Sequence, residues 1–431
     1  MTGPVPAMPS DPGLPGARGL FGADGMRVVS GFLGDRGWAV EEARPVQAIY
    51  RPGRSLVVRY RVAARGAGGR RAFSICAEVR RRPRKIRPVP GGFGERHGIP
   101  DPVEPRDGAV VWAFPYDPAL DGVEDAATAA TVTEAIGTVG GRLAAVSVEP
   151  VRYRPLRRAV FRYRSLHLSR RGRRWETSFG KVVPSEKARR IEAATGVLRA
   201  VGRRIPLALP AGPLGRDGLL FPALRGRSLR QLLVSGSSLP SPTRIAALPG
   251  GMVVAEEAED LESLGPRPTP AALAGPAADL VARLVPDVAP AAERLRAEIQ
   301  MLAQRDHVPP SVVHGDLYEA QIFVGDGFEL GLIDLDDVGR GDPVLDAANF
   351  CAHLLALALA VPSASDRLVA YRGLIRPAFT HELDVPPRAI AWREALCMLL
   401  LAAGPFRVLD PAWPAEIRRR VALAVRLLEE T

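Results

Sequence analysis

Residues 312–350 read VVHGDLYEAQIFVGDGFELGLIDLDDVGRGDPVLDAANF, the stretch of this 431-residue chain richest in groups that can do chemistry. Three acidic clusters are linked there by strand-like pieces. Asp326-Gly327, between IFV and FELGLID, is a hairpin turn signal. Gln321 before the turn and Asp334 after it should therefore meet at one end, with Asp316 on a loop just upstream. A candidate base, an amide oxygen and a carboxylate around one small volume are parts that metal-assisted phosphoryl transfer uses. Oxygen donors of this kind suit Mg2+. Lys181 adds a candidate cation. The chain has three lysines against 55 arginines, and this one lies in an apolar-flanked strand. A compact ammonium and a planar guanidinium do not do the same work at a phosphate.

The elements that must position these groups show an internal repeat. Residues 50–62, YRPGRSLVVRYRV, and 153–165, YRPLRRAVFRYRS, share eight identities in thirteen positions at an offset of 103. Each copy is an extended stretch, a Pro-containing turn, and Val or Phe alternating with Arg and Tyr, the period-two pattern of a half-buried hairpin. A third strand follows at the same offset, AFSICAEV at 72–79 and WETSFGKV at 175–182, and a helical segment precedes each hairpin near 25–34 and 127–138. WAFPYDPAL at 112–120 resembles LLFPALRGRSL at 219–229. The repeated unit is a small lobe of helix plus antiparallel sheet. Lys181 in the second copy aligns with Glu78 in the first, an anion where a phosphate would want a cation, so the first copy reads as a cap or packing module. From about residue 227 the sequence becomes Ala/Leu-rich and helical, with Pro/Gly loops at 238–250 and 265–276 and one hairpin near 321–334.

Composition excludes several classes. Hydrophobic residues at 47% and charged residues at 24% exclude wholesale disorder. Cys76, Cys351 and Cys397 are too few and too scattered for a disulfide framework or a zinc site, and read as small buried hydrophobes. Residues 1–20 are rich in Pro and Gly, read as a disordered tail, and lack a secretory pattern. The longest apolar runs, 354–361 and 395–403, are short for a bilayer. A cytoplasmic protein without a membrane partner is expected. Up to residue 222 there are 38 basic and 20 acidic residues, net +18; beyond it there are 20 and 27, net −7. The basic excess is dispersed arginine along strands, with aromatic residues at only 6%. It reads as a solvated face rather than a nucleic-acid platform.

In the order H-G-D-x-x-x-x-Q at 314–321, L-I-D at 332–334 and G-D-P-x-x-D at 341–346, the chain resembles the aminoglycoside phosphotransferase and choline kinase-like family, a branch of the protein-kinase-like fold. The similarity spans about residues 140–360. Maltokinase-like members carry an extra N-terminal cap and a Gln in the catalytic loop, as here. The resemblance implies an α+β, two-lobed fold with an antiparallel-sheet N-lobe and a helical C-lobe, plus a duplicated N-lobe-like domain in front. The domains would be a cap at 21–122, an N-lobe at 123–222 and a C-lobe at 223–431.

It further implies Asp316 as the carboxylate that orients the acceptor hydroxyl and accepts its proton, with His314 holding the loop. Gln321 and Asp334 would bind Mg2+. Asp346 would bond the catalytic-loop backbone from a helix start. Lys181 would contact the α and β phosphates of ATP or GTP, held by a glutamate of the next helix, 185–201. Glu192 is the choice there; Glu186 lies nearer the strand. LLFPALRG at 219–226 would be the adenine hinge, with Pro222 giving a C=O and Leu224 an N–H. Asp336 and Asp337 could tune the Mg2+ site or face solvent, and of the two solvent is preferred. The first turn, RPLRRAV, lacks the family's glycines. Arg157 or Arg158 could reach the triphosphate instead, although the recurrence of Arg54 in the first copy favours a structural role. The implied activity is Mg2+-dependent transfer of a γ-phosphate to a hydroxyl of an aminoglycoside, sugar or amino alcohol. The rival is a catalytically silent nucleotide-binding regulator. The acidic C-terminal part suits a cationic or polyhydroxylated acceptor.

Overall fold

Val, Phe and Tyr alternating with Arg turn one apolar face of each hairpin inward and leave the guanidiniums wet. In the structure, a computed structural model describing residues 8–82, 92–101, 109–137, 142–169, 172–200, 205–252, 261 and 263–430, this pattern builds two antiparallel sheets. In the first, α1 (Ala23–Gly34) leads into β1 (Ala39–Arg51), β2 (Ser55–Gly66) and β3 (Gly69–Arg80). After α2 (Phe93–His97), β4 (Ala109–Ala113) completes the order β1-β2-β3-β4. The second unit starts with α3 (Val123–Ala127) and α4 (Ala129–Gly137), then β5 (Arg142–Arg154), β6 (Arg158–Ser169) and β7 (Gly172–Val182). It continues through α5 (Ser185–Ala200), β8 (Gly212–Pro213) and β9 (Gly218–Pro222) in the order β5-β6-β7-β9-β8.

At the offset of 103 Tyr50 pairs with Leu56 and Tyr153 with Ala159, and each first strand carries two bulges, one at the matching place, Val40/Glu42 and Leu143/Ala145, and one displaced by two residues, Pro45/Gln47 and Pro150/Arg152. The same tyrosine bonds recur. Tyr50 Oη donates to Asp11 at 2.7 Å, and Asp11 also accepts the amides of Gly53 at 2.8 Å and Gly13 at 2.9 Å. Tyr153 Oη donates to Asp117 at 2.7 Å, and Asp117 accepts the amides of Leu156 and Ala119, both at 2.8 Å. Gly53 and Leu156 both have positive φ, 64° and 61°, so each carboxylate anchors a left-handed turn residue. Tyr60 and Tyr163 donate to the carbonyls of Leu20 and Ala126.

Residues 8–20 are therefore not a tail. Met8, Leu14, Ala17 and Leu20 are buried, and Asp11 ties the segment to the β1–β2 turn. Pro and Gly serve there as turn formers that let a short irregular stretch fold back onto the sheet. Residues 1–7 lie outside the described residues.

The helical lobe begins with β10 (Arg227–Ser228), α6 (Leu229–Ser235), α7 (Pro242–Ala246), α8 (Pro270–Leu284) and α9 (Ala289–Arg305). Short strands follow: β11 (Ser311–Val313), β12 (Ile322–Val324), β13 (Leu330–Leu332) and β14 (Gly339–Gly341). It ends with α10 (Pro343–Ala360), α11 (Ser365–Glu382), α12 (Pro387–Ala402), α13 (Gly404–Arg407) and α14 (Trp413–Glu429). The apolar runs judged short in the sequence belong to longer helices. Pro343–Ala360 and Pro387–Arg407 are long and apolar enough to cross a membrane, but 67% and 83% of their apolar windows are buried inside the lobe. The three free cysteines are buried, as small hydrophobes. The first sheet packs on both sides. Phe406 of α13 lies 6.2 Å from Tyr50 and 6.1 Å from Phe21, while Val57, Cys76, Val110 and Trp112 share a core with Tyr153, Phe161 and Tyr163 of the second.

Candidate functional site

The β12–β13 hairpin sets the geometry. Ile322 pairs with Leu332, and the Ile333 amide donates to the Gln321 carbonyl at 3.0 Å, so Gln321 and Asp334 meet at one end as expected. Asp334 sits in the left-handed region, φ 62°, which turns its carboxylate out of the strand direction. Lys181 Nζ reaches it from β7 and donates to Asp334, and to Asp336 at 2.7 Å. Gln321 Nε2 donates to Asp334 Oδ2 at 3.1 Å, and so does Arg158 Nη1 at 3.1 Å.

The loop carrying Asp316 is held from beneath. Asp346, in the first turn of α10, accepts the amide of His314 at 2.6 Å and that of Gly315 at 3.0 Å. His314 is fully buried, with Nε2 3.0 Å from the Ile333 carbonyl, which ties the loop to the end of β13. Asn349 adds a bond to the Leu317 carbonyl at 2.9 Å. At Gly315, φ 79°, a Cβ would come within 2.2 Å of the Asp337 carbonyl, so only glycine lets the loop pass there. Asp316 itself has no hydrogen-bond or ion-pair partner among the described residues.

The carboxylates of Asp316 and Asp334 are driven in opposite directions. Burial pushes Asp316 up to about 7, with the charges of Asp334 and Asp337 adding to it and Arg158 opposing. Burial would raise Asp334 as well, but Lys181 and Arg158 outweigh it and hold that carboxyl well below the usual range. A proton acceptor near neutrality beside a fixed anion is the pairing that acid–base chemistry needs.

Some expected partners fall elsewhere. Neither Glu192 nor Glu186 meets Lys181; both are exposed on α5. The helix turns Ala188, Ile191, Thr195 and Leu198 inward, and Glu192 follows Ile191 by 100° around the axis, toward solvent. The counter-charges of Lys181 are Asp334 and Asp336 instead. Asp336 is not solvated: its side chain is 3% exposed. From α5 the residue that reaches the site is Lys187, 3.5 Å from Asp337 and 3.7 Å from Asp336. Two of the three lysines thus converge here, a scarcity signal that pointed to Lys187 as much as to Lys181. Of the two arginines named for the triphosphate, Arg158 is the one that bonds Asp334, and it aligns with Ser55, not with Arg54, in the first copy. Beside the loop, Arg230 pairs with buried Glu319 at 2.7 Å and lies 5.5 Å from the Tyr318 ring.

At the other end, β9 pairs Leu219 with Lys181, and the Phe221 ring lies 5.6 Å from Nζ. Pro222 ends the strand, and the Leu224 amide has no backbone partner among the described residues. Gly331 of β13 leaves room for the Leu224 side chain, where a Cβ would come within 2.9 Å. Among the described residues no group of three or more His, Cys, Asp or Glu is placed to hold a metal. Mg2+ nevertheless needs only one or two protein oxygens when phosphates supply others. The Asp334 carboxylate fits that demand, with the buried Asp336 Oδ2, which accepts no hydrogen bond, beside it; Gln321 faces Asp334 through its amide nitrogen, and a half-turn of the amide would offer its oxygen instead.

Residues 178–382 match the model of the phosphotransferase enzyme family, APH. Among curated proteins, none matches the chain. Among solved structures it is similar to a thermostable mutant of aminoglycoside phosphotransferase APH(4)-Ia in a ternary complex with ADP and hygromycin B, at 14% identity and TM-score 0.48, covering 70% of this chain and 98% of that one. It is also similar to a choline kinase from Cryptosporidium parvum Iowa II, at 10% identity and TM-score 0.45 over 66% and 89%. A Plasmodium vivax ethanolamine kinase matches at 11% identity and TM-score 0.42 over 68% and 86%.

Proposed function

Residues 178–382 match the model of the phosphotransferase enzyme family, and from that match we propose that the chain acts as a small-molecule kinase, moving the γ-phosphate of ATP or GTP to an acceptor hydroxyl, with Asp316 as the catalytic carboxylate. The observation that carries the reading is the meeting of Lys181, Gln321 and Asp334 beside a partner-free Asp316 held near neutrality.

The Pro222 carbonyl and the Leu224 amide would take the base edge of the nucleotide. Lys181 and Arg158 would bind its phosphates, replacing with charge the backbone amides that a glycine-rich turn would offer. Asp334 and the Gln321 oxygen would hold Mg2+, which when bound neutralises phosphate charge. Asp316 orients the acceptor hydroxyl. As its oxygen bonds the γ phosphorus and the bond to the bridging oxygen breaks, the proton passes to Asp316 and the diphosphate leaves. Positioning and charge neutralisation supply most of the acceleration. His314 and Asp346 keep the loop in place.

The β1–β4 unit would be a cap and a degenerate repeat of the β5–β9 unit, for which the shared registers and recurring tyrosine bonds speak. It carries Glu78 and Ser55 where the second unit has Lys181 and Arg158. The test is Asp316→Asn. Phosphate transfer to an acceptor should fall by about 10²–10⁴, with nucleotide affinity unchanged by calorimetry. A wild-type protein that consumes no nucleotide across a broad panel of hydroxyl compounds would favour the silent regulator instead.

A further inference from the structure

The two sheet units also differ on the face turned away from Lys181. Side chains alternate along a strand, so Glu176 and Ser178 of β7 point opposite to Lys181, with Ser165 and Tyr163 of β6 directly across from them. In the first unit the matching face is core: Val62 pairs with Phe73 and Tyr60 with Ile75, and Val62, Ala64, Phe73 and Ile75 are buried. Trp38, between α1 and β1, sets its ring 4.9 Å from that of Phe73. At the offset of 103 the second unit has Ser165, His167, Glu176 and Ser178 at those four places, and glycine, at position 141 outside the described residues, for Trp38. Bulk is lost at four of the five positions, and polarity is gained at four.

A cavity of about 140 Å³ lies there, close in size to one that holds a six-carbon ring. Its lining is of two kinds. Ser165, His167, Glu176 and Ser178 come from β6 and β7; Ile136 comes from α4, Leu220 and Pro222 from β9, and Ala211 from the stretch before β8. The polar groups are only partly served. Ser165 is 2% exposed, and its Oγ lies 2.9 Å from His167 Nε2. Glu176, half-exposed at the rim, lies 3.6 Å from the same nitrogen and 3.3 Å from Arg174, so its charge is already met. Ser178 Oγ is buried and has no hydrogen-bond partner among the described residues. A hydroxyl buried without a bond costs free energy, which a group bound beside it offsets.

The lining selects the ligand. A carboxylate already paired with an arginine has no net charge to offer a cation, and it repels an anion brought beside it. Serine hydroxyls both donate and accept, and a neutral imidazole does so through its two nitrogens, so the matching group is another hydroxyl. Water alone would meet Ile136, Ala211, Leu220 and Pro222 with nothing to bond. A compound with carbons on one side and hydroxyls on the other satisfies both kinds of lining. We propose that this cavity binds a small neutral polyhydroxyl compound of about three to five carbons, its hydroxyls on Ser165, His167 and Ser178 and its carbons against Ile136 and Leu220. Lying across the sheet from Lys181, it is a second site, apart from the one around Asp316 and Asp334.

The experiment follows isoleucine methyl signals of the full chain by NMR. Ile136 lines the cavity and reports on it, while Ile333, next to Asp334, reports on the other site. Glycerol, erythritol and xylitol are titrated, with glycerate as the anionic and ethanolamine as the cationic control. At least one polyol should shift Ile136 saturably in the millimolar range expected of so small a ligand, without Ile333 following at the same midpoint. Glycerate and ethanolamine should bind about tenfold more weakly or not at all. Ser178→Ala, which removes only the hydroxyl, should weaken the polyol about three- to tenfold. Ser178→Ile, which restores the first unit's residue, should abolish the shift; if that variant fails to fold, Ser178→Ala decides. The proposal falls if Ile136 stays still with all three polyols, which leaves a pocket of water, or if a charged control binds as tightly. It falls equally if Ser178→Ala binds as wild type does, or if Ile136 and Ile333 move with one midpoint, which would give the polyol to the site around Asp316.

Discussion

The two sheet units share a scaffold and differ in what they hold out to the helical lobe. Asp11 and Asp117 clasp the same turn, Tyr50 and Tyr153 donate to them, and Tyr60 and Tyr163 reach back to the segments before the helices. Against that sameness, Lys181 stands opposite Glu78, Arg158 opposite Ser55, and α5 follows β7 where only α2 is described after β3. The clasp is what a three-stranded meander of this length requires in order to fix its turn. The chemistry needs two cations and a helix. A fold can therefore be copied whole while a function is set by a few side chains.

Lys181→Ala tests that division with the largest expected effect. It removes the ammonium that neutralises both Asp334 and Asp336, and it should lower kcat/KM by about 10²–10³, in line with the loss of one fixed charge from a transition-state site. Glu78→Gln, at the matching place, should leave kcat/KM within about twofold. Glu78 is buried beside Arg80 at 3.3 Å, so its loss should appear in the melting midpoint instead. A comparable loss of turnover in both variants would mean that the first unit takes part in catalysis, and the comparison would break.

The next effect is on stability. Groups poised for chemistry are held against their preference, whereas the clasps are satisfied. Asp316 has its folded value raised to about 7, so its carboxyl favours the folded state least once it is charged. The contribution is neutral below the unfolded value near 4, and becomes a growing cost as pH rises from there toward 7. Asp316→Asn should then unfold later than wild type at pH 8, by about 2 kcal/mol after allowing for solvent at the carboxyl, and no later at pH 3.5. In wild type, kcat should rise through pH 7 as the Asp316 base is uncovered. A pH-independent difference between the two proteins would show that the carboxyl is not perturbed.

Much of this site was legible in the residues. The turn signal at Asp326-Gly327 sufficed to bring Gln321 and Asp334 together, because a hairpin closed anywhere in that stretch leaves both at its open end, although the loop runs from Gly325 to Glu329 rather than over two residues. The scarcity of lysine marked Lys181. Glu192 misled because a helix presents only one face, and Ile191 and Leu198 had already claimed the inner one. Arg158 could not be told from its many equals by type; its neighbour across the cleft distinguishes it. The buried Asp336 shows the limit of composition: adjacent carboxylates are usually wet, but a lysine from another lobe changes the balance. Residues 8–20 were lost to their Pro and Gly content, although the run Asp-Pro-x-Leu-x-Gly occurs at 11–16 and again at 117–122. That second offset, 106 rather than 103, was the readable sign that the segment belongs to the fold.

The smallest effect separates the two clasps themselves. Tyr153 Oη donates to Asp117 and receives the Trp112 indole N–H at 3.0 Å, with Cys76 Sγ 3.9 Å away, all buried. Tyr50 Oη has Asp11 alone, which keeps the Gly13 and Gly53 amides if the hydroxyl is removed. Tyr153→Phe strands a buried donor and weakens a carboxylate's shell, a loss of about 2–3 kcal/mol; Tyr50→Phe removes one bond from a carboxylate still served by two amides, about 1 kcal/mol. Denaturant titration of the two variants should show that ranking with unchanged slopes, since neither change alters the surface exposed on unfolding. If Tyr50→Phe proved the costlier, the first unit would be the keystone of the assembly rather than its cap, and the helical lobe should then lose nucleotide affinity along with it.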